Sequence, residues 1–289
     1  IEAVGGDKIS VGEPFFNLTF GPLMVPLLCA VPFGPLLAWK RGDLLAVSQR
    51  LMAAFAGALA IVLVVYLFVD GASVFAALAC GLAAWLILGA LTDLWIKAGF
   101  GSAAAGTALR RLAGLPMSMF GTAAAHLGLG LTLLGIVGTL AFQQERIVEI
   151  KPGEAIEIAG YRLVYEGLGP FKGANYDEEQ GTFRIMSSGG ADIGTVVSAK
   201  RFYPARRMPT TEAGIRTMGF SQLYVSLGDQ TTSGGIVARV WWKPMVTLIW
   251  IGGLVMMAGA GVSLFDRRLR VGAPAKRRAA KPAMQGGAA

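Results

Sequence analysis

The sequence predicts a membrane protein: an α-helical bundle of about five transmembrane helices, with one exported β-rich domain, a sandwich or open barrel, between the last two helices. Three observations carry that prediction. Of 289 residues, 54% are hydrophobic and 15% charged, with a mean hydropathy of +0.57, whereas a soluble domain carries roughly a quarter charged residues. Apolar runs of bilayer-crossing length recur five times. Between the fourth and fifth, the composition becomes that of a soluble protein and the apolar residues alternate.

The first span covers about residues 15–39 and is interrupted by Pro22, Pro26, Pro32 and Pro35. Those prolines imply a kinked or partly re-entrant segment, tolerated where neighbours satisfy the freed carbonyls. The second covers about 51–69 and ends at the Asp70-Gly71 turn. The third covers about 73–92, closed by Asp93, Trp95 and Lys97; Asp70 and Asp93 read as helix ends at the membrane edge. The fourth covers about 117–142, so residues 1–142 form a membrane region of four spans. The fifth covers 245–265, introduced by Trp241, Trp242 and Lys243, residue types suited to the interface.

Residues 143–244 form the exported domain. Alternating runs at 147–151, 161–166, 182–186, 222–227 and 236–241 are separated by turn signals such as Pro152-Gly153 and Gly189-Gly190, the pattern of half-buried strands. A short helix is expected over Thr211–Met218, capped by Thr210 or Thr211. With no His or Cys, this segment cannot assemble a Ser-His-Asp or Cys-His set.

The chain carries 26 Lys+Arg against 18 Asp+Glu, a net charge of +8. Lys40, Arg41 and Arg50, then Lys97, Arg110 and Arg111, then the basic tail of residues 266–289 all fall on one side if the spans alternate. That side is cytoplasmic by the positive-inside rule, and segment 143–244 is then periplasmic. The tail, Ala-, Gly- and Pro-rich after Val271 and expected to be disordered, serves as a topology signal, so no nucleic-acid partner is expected.

Cys29 and Cys80 both lie in apolar runs and read as small buried hydrophobes; no Cys/His cluster offers a zinc site. His126 is the one histidine of the chain, on the order of 10 Å inside the fourth span. An ionisable residue at that depth is a functional hypothesis by default. Thr122, His126 and Gly130 share a helical face, leaving room for a flat macrocycle or a close neighbouring helix. Two readings stand on these residues alone: an imidazole ligand to haem iron, or a neutral histidine hydrogen-bonded to another helix.

Taken together, the segments resemble the C-terminal half of the CcmF family of cytochrome c-type biogenesis proteins. The resemblance runs from Lys8-Ile9-Ser10-Val11-Gly12-Glu13-Pro14 through Gly34-Pro35-Leu36-Leu37-Ala38-Trp39 and Ala125-His126-Leu127-Gly128. It continues through Lys200-Arg201-Phe202-Tyr203-Pro204 and Leu223-Tyr224-Val225-Ser226-Leu227-Gly228 to Asp266-Arg267-Arg268-Leu269-Arg270. It implies a haem lyase subunit that attaches haem to apocytochrome c at the bacterial inner membrane. It also implies a transmembrane haem b, with His126 matching one of its two axial ligands. The implied partners are a haem lyase partner subunit, a haem chaperone, apocytochrome c and membrane lipid.

The family's Trp-rich haem-handling segment, its flanking histidines and the second haem ligand have no counterpart in this sequence; Trp241-Trp242 is not that motif. The chain, which begins at Ile1, is expected to be a fragment or split-gene product working with an N-terminal part. Two other readings are a non-catalytic membrane scaffold and a transporter or permease subunit whose Pro-broken span lines a path.

Overall fold

The computed structural model describes residues 13–37, 42–205 and 207–266. Lys40, Arg41, Arg206, the segment before Glu13 and the basic tail after Asp266 lie outside the described residues, as does the expectation that the tail is disordered. Seven α-helices and nine strands follow in order. Helix α1 (Glu13–Ala30) runs into a 3-10 turn over Val31–Leu36. Then come α2 (Leu44–Arg50), α3 (Met52–Phe68), α4 (Val74–Ala98), α5 (Ala105–Ala113) and α6 (Met117–Ala141). The stretch Leu18–Leu36, α4, α6 and α7 (Thr247–Leu264) are long and apolar enough to cross a membrane; the pair α2 and α3, bent by 55°, would make a fifth span.

Prolines decide the shape of the first span. Pro22 and Pro26 sit within α1, and Pro32 and Pro35 within the 3-10 turn. Each removes a backbone donor and frees a carbonyl of the preceding turn. Where α1 changes to 3-10, the Trp85 indole Nε1 donates to the Cys29 carbonyl at 3.0 Å. One turn further along α4, Gly89 lets the chain approach closely: a Cβ there would lie 2.5 Å from Pro32 Cβ. Trp85 and Gly89 thereby dock the broken segment onto α4. Cys80 is buried as expected, whereas Cys29 is exposed, because it borders an open apolar groove with Phe33, Phe55, Leu82 and Trp85 rather than a closed core.

Small residues set the packing of α6. Gly121, Gly128 and Gly135 recur every seven residues on one face, and α7 answers with Gly252 and Gly259. A Cβ on Gly121 would fall 2.5 Å from Gly259 O, and one on Gly128 2.6 Å from Gly252 O. Backbones thus touch directly, as small-residue stripes allow in lipid. On the opposite face Gly130 packs against Ala83 and Ile87 of α4. At the end far from the strands, Asp266 accepts a hydrogen bond from Ser118 N (3.0 Å) and caps the first turn of α6.

The strands form two antiparallel sheets, ordered β1-β9-β8-β7 and β2-β3-β4-β5-β6. The ranges are β1 (Gln144–Ile150), β2 (Ala155–Ile158), β3 (Tyr161–Lys172), β4 (Asp177–Ser187) and β5 (Asp192–Tyr203). The remaining ones are β6 (Met208–Glu212), β7 (Gly214–Met218), β8 (Ser221–Gln230) and β9 (Ile236–Lys243). Every pairing is antiparallel, and both changes of sheet fall between consecutive strands, after β1 and after β6. The inner faces interdigitate around Leu163, Phe183, Ile185, Leu223, Val225 and Val240, all fully buried. This is the sandwich that the alternation predicts.

The expected helix over Thr211–Met218 is not formed. Residues 208–212 and 214–218 are strands β6 and β7, one on each sheet, and the chain crosses between them at Ala213-Gly214. β-branched Thr210, Thr211, Ile215 and Thr217 favour the extended form, and a Cβ on Gly214 would sit 2.4 Å from Val197 O. The third span also runs beyond its expected end: α4 continues to Ala98, stopped by the left-handed Gly99, and carries Asp93 inside it.

Strands β1 and β9 are hydrogen-bonded neighbours, with Gln144 opposite Trp242, and they continue directly from α6 and into α7. The sandwich is therefore joined to the bundle by two adjacent strands over two packed helices. The Phe220 carbonyl, in the β7–β8 turn, accepts from Thr247 N (3.2 Å) and Oγ1 (2.7 Å), fixing that turn on the first turn of α7. Because α4 and α6 run antiparallel, Arg50, Lys97, Arg110 and Arg111 gather at the bundle end opposite the sandwich.

Candidate functional site

His126 stands on the flank of α6, between the face that meets α4 and the side covered by the 3-10 turn. It is half-buried and borders a groove of about 510 Å³ lined by Leu27, Ala30, Val31, Gly34, Pro35, Thr122 and His126 itself. One wall is α6; the other is the Pro-broken end of the first span. Ala30 and Gly34 project little bulk there, and Leu27, Val31 and Pro35 make the rest of that wall apolar.

The polar groups of the groove are few. Thr122 Oγ1 donates to the Ser118 carbonyl within its own helix (3.0 Å). The His126 imidazole makes no hydrogen bond to any described residue. Of the two readings open from the sequence, the one that needs a hydrogen bond to a neighbouring helix lacks its partner among the described residues. A half-buried imidazole with no hydrogen bond to a described residue, bordering an apolar groove, is chemically able to ligate a metal.

The signal for the opposite wall was present in the sequence as Gly34 and Pro35, but their proximity to His126 depends on the docking of Pro32 on Gly89 and of Trp85 on the Cys29 carbonyl. Asp93 was missed. It reads from the sequence as a helix end at the membrane edge, yet it is only 2% exposed, inside α4. Both its carboxylate oxygens lie 2.8 Å from Lys97 Nζ one turn on. A sequence read one residue at a time gives no sign of this burial, because it comes from the packing of α6 and the 3-10 turn on α4.

A second polar cluster lies on the sandwich. The Arg201 guanidinium donates to Glu178 (2.5 Å), lies 3.4 Å from Glu212 and covers the Tyr176 ring at 4.3 Å. Gln180 donates to the other oxygen of Glu178 (2.5 Å). The Gln180 amide foremost, with the Arg201 guanidinium, holds the Glu178 carboxyl below the usual carboxylate range. Lys200 pairs with Asp229 at 2.6 Å. Lys200 and Arg201 of β5 thus both make ion pairs within the domain.

A family model described as the CcmF C-terminal beta-sandwich matches residues 141–244, the segment that forms the two sheets. The cytochrome c-type biogenesis protein CycK of Rhizobium meliloti is 59% identical over 280 residues, 97% of this chain and 41% of the relative. The cytochrome c-type biogenesis protein CcmF of Escherichia coli is 32% identical over 268 residues, 92% of this chain and 40% of the relative. A solved structure, "Cytochrome c Heme Lyase CcmF", superposes with a TM-score of 0.66 at 21% identity, covering 88% of this chain and 41% of that one; it shares the fold. The chain spans about 40% of the length of these relatives. Helical bundle, sandwich and relatives agree: over nearly its whole length the chain matches the C-terminal part of the longer CcmF-type cytochrome c-type biogenesis proteins, and residues 141–244 are the CcmF C-terminal beta-sandwich.

Proposed function

We propose that this chain is the C-terminal part of a membrane haem lyase of cytochrome c maturation, and that His126 supplies one axial ligand to a haem b within the membrane. The observation that carries the reading is the half-buried His126 imidazole, without a hydrogen bond to any described residue, bordering the apolar groove between α6 and the 3-10 turn. When bound, the haem supplies a one-electron redox centre within the bilayer. The work of this chain is to position the imidazole. The glycine-packed α6–α7 pair fixes its height, and Trp85 and Gly89 fix the opposite wall.

As His126 is the one histidine, a bis-histidine site draws its second ligand from another segment, an N-terminal part of the same protein or a partner chain. The sandwich is periplasmic in this reading, since the basic residues gather at the opposite end of the bundle. Lacking His and Cys, it has no nucleophile-base set of its own. It serves to position haem chaperone or apocytochrome c rather than to carry out the bond-forming step.

The test is a reduced-minus-oxidised optical spectrum of the detergent-purified chain, alone and co-expressed with the N-terminal region of a longer relative. A bis-histidine b-type spectrum that needs both parts and is lost in His126→Ala supports the reading. A spectrum unchanged by His126→Ala overturns it.

A further inference from the structure

Asp93 has no part in the reading above, yet a carboxylate inside a membrane helix is expensive to keep. It is 2% exposed, and Lys97, its partner, lies one turn nearer the helix end. Asp93 follows Gly89 by one turn on α4, and Gly89 is the residue against which Pro32 packs. The 3-10 turn that Pro32 opens supplies Val31, Gly34 and Pro35 to the wall facing His126. Higher on α4, Ala83 and Ile87 pack against Gly130, one turn from His126. Asp93 is therefore enclosed on α4 beside the elements that build the His126 groove. Lys97, a quarter exposed, is drawn toward the solvent side, so the buried end of the pair is the anion.

We propose that Asp93 is a positioning residue of the His126 site, an anionic counter-charge anchored by Lys97 that stabilises the more positive state of the group His126 holds. The inference rests on the haem reading for the identity of that group. The physics is Coulomb interaction in a low-dielectric interior, where the buried carboxylate of the pair acts more strongly than its ammonium partner, which lies one turn further off and is partly solvated. A negative charge at the flank favours ferric over ferrous haem, since the ferric site is more positive by one unit. Removing it makes the site easier to reduce.

The experiment is a potentiometric titration of the b-type haem in the complete complex, comparing wild type, Asp93→Asn and Asp93→Glu. Asp93→Asn keeps the shape and removes the charge; the ferric-to-ferrous ratio at a fixed ambient potential is expected to fall at least about threefold, where tenfold corresponds to 59 mV for one electron. Asp93→Glu keeps the charge and is expected to stay near wild type. An unchanged potential in Asp93→Asn, or an equal shift in both variants, overturns the counter-charge.

If wild type shows no b-type spectrum, the haem reading fails first. The counter-charge is then tested on the apoprotein, where ¹⁵N-histidine labelling gives a single-site probe because the chain has one histidine. A His126 resonance moved by Asp93→Asn and kept by Asp93→Glu sustains the electrostatic coupling. A resonance that neither variant moves, or that both move alike, refutes it.

Discussion

Replacing Gly128 by alanine adds one methyl group where the structure has no room for it. The new Cβ would lie 2.6 Å from Gly252 O, 2.7 Å from Met256 Cγ and 2.8 Å from Met256 N, against ordinary contact from 3.4 Å upward. The Met256 side chain can swing aside, but the two backbone atoms belong to α7 itself. Relieving them separates α6 from α7 by roughly 0.6–0.8 Å, a gap that forfeits a quarter to a half of each dispersion contact across it. Overpacking of this kind costs about 1–3 kcal/mol, and the better helix propensity of alanine returns up to about 1 kcal/mol. Gly253→Ala is the matched control: it lies in the neighbouring position of α7 with nothing within 4 Å of its Cβ, so it should be neutral or slightly stabilising. Unfolding of both variants in mixed detergent micelles with increasing SDS measures the difference directly, expected at about 2 kcal/mol. Equal stability of the two would refute the direct backbone contact between α6 and α7. In the proposed haem reading, the same displacement also weakens haem retention, because α6 carries His126.

Two further outcomes follow from single interactions. Trp85→Phe keeps the aromatic packing against Phe33 and Phe55 but leaves the Cys29 carbonyl without its donor; a loss of about 1–3 kcal/mol is expected, with faster amide exchange over Val31–Leu37 by hydrogen–deuterium exchange, and unchanged exchange there would count against the docking role. The Glu178 carboxyl is depressed from its ordinary value of 4.5, chiefly by the Gln180 amide and then by Arg201. Its contribution is therefore present above about pH 4.5 and lost as pH falls through the lower native-state value. Thermal unfolding between pH 6 and 3 should show a shallower acid loss in Glu178→Gln than in wild type; parallel curves would show that the pair does not contribute.

The long-range features of the chain were legible because lipid imposes simple rules. Apolar runs near 20 residues, the alternation in the sandwich and the segregation of basic residues are one-dimensional consequences of what solvates each face, so the bundle and the sheet domain could be read from composition and period. Thr211–Met218 was misread for the opposite reason. Thr at 210 and 211 satisfies a helix-cap rule locally, while the extended form is chosen by pairing with β5 and β8, which are distant in sequence.

The sequence by itself determined that one imidazole lies inside the fourth span, since nothing else in the chain carries that side chain. It also determined that small residues flank that imidazole on its helical face. Only the tertiary structure decided what the imidazole faces. Gly34 and Pro35 line its groove because Trp85 holds the Cys29 carbonyl and Gly89 yields the space for Pro32. Asp93 became a buried charge because α6 and the broken span close over α4, not because of any neighbour in sequence. Arg201 of β5 meets Glu178 of β4 only through the pairing of those two strands. In each case the deciding quantity is proximity between helices or strands, and that is set by packing, where a missing Cβ or a freed carbonyl on one element is matched by a group on another.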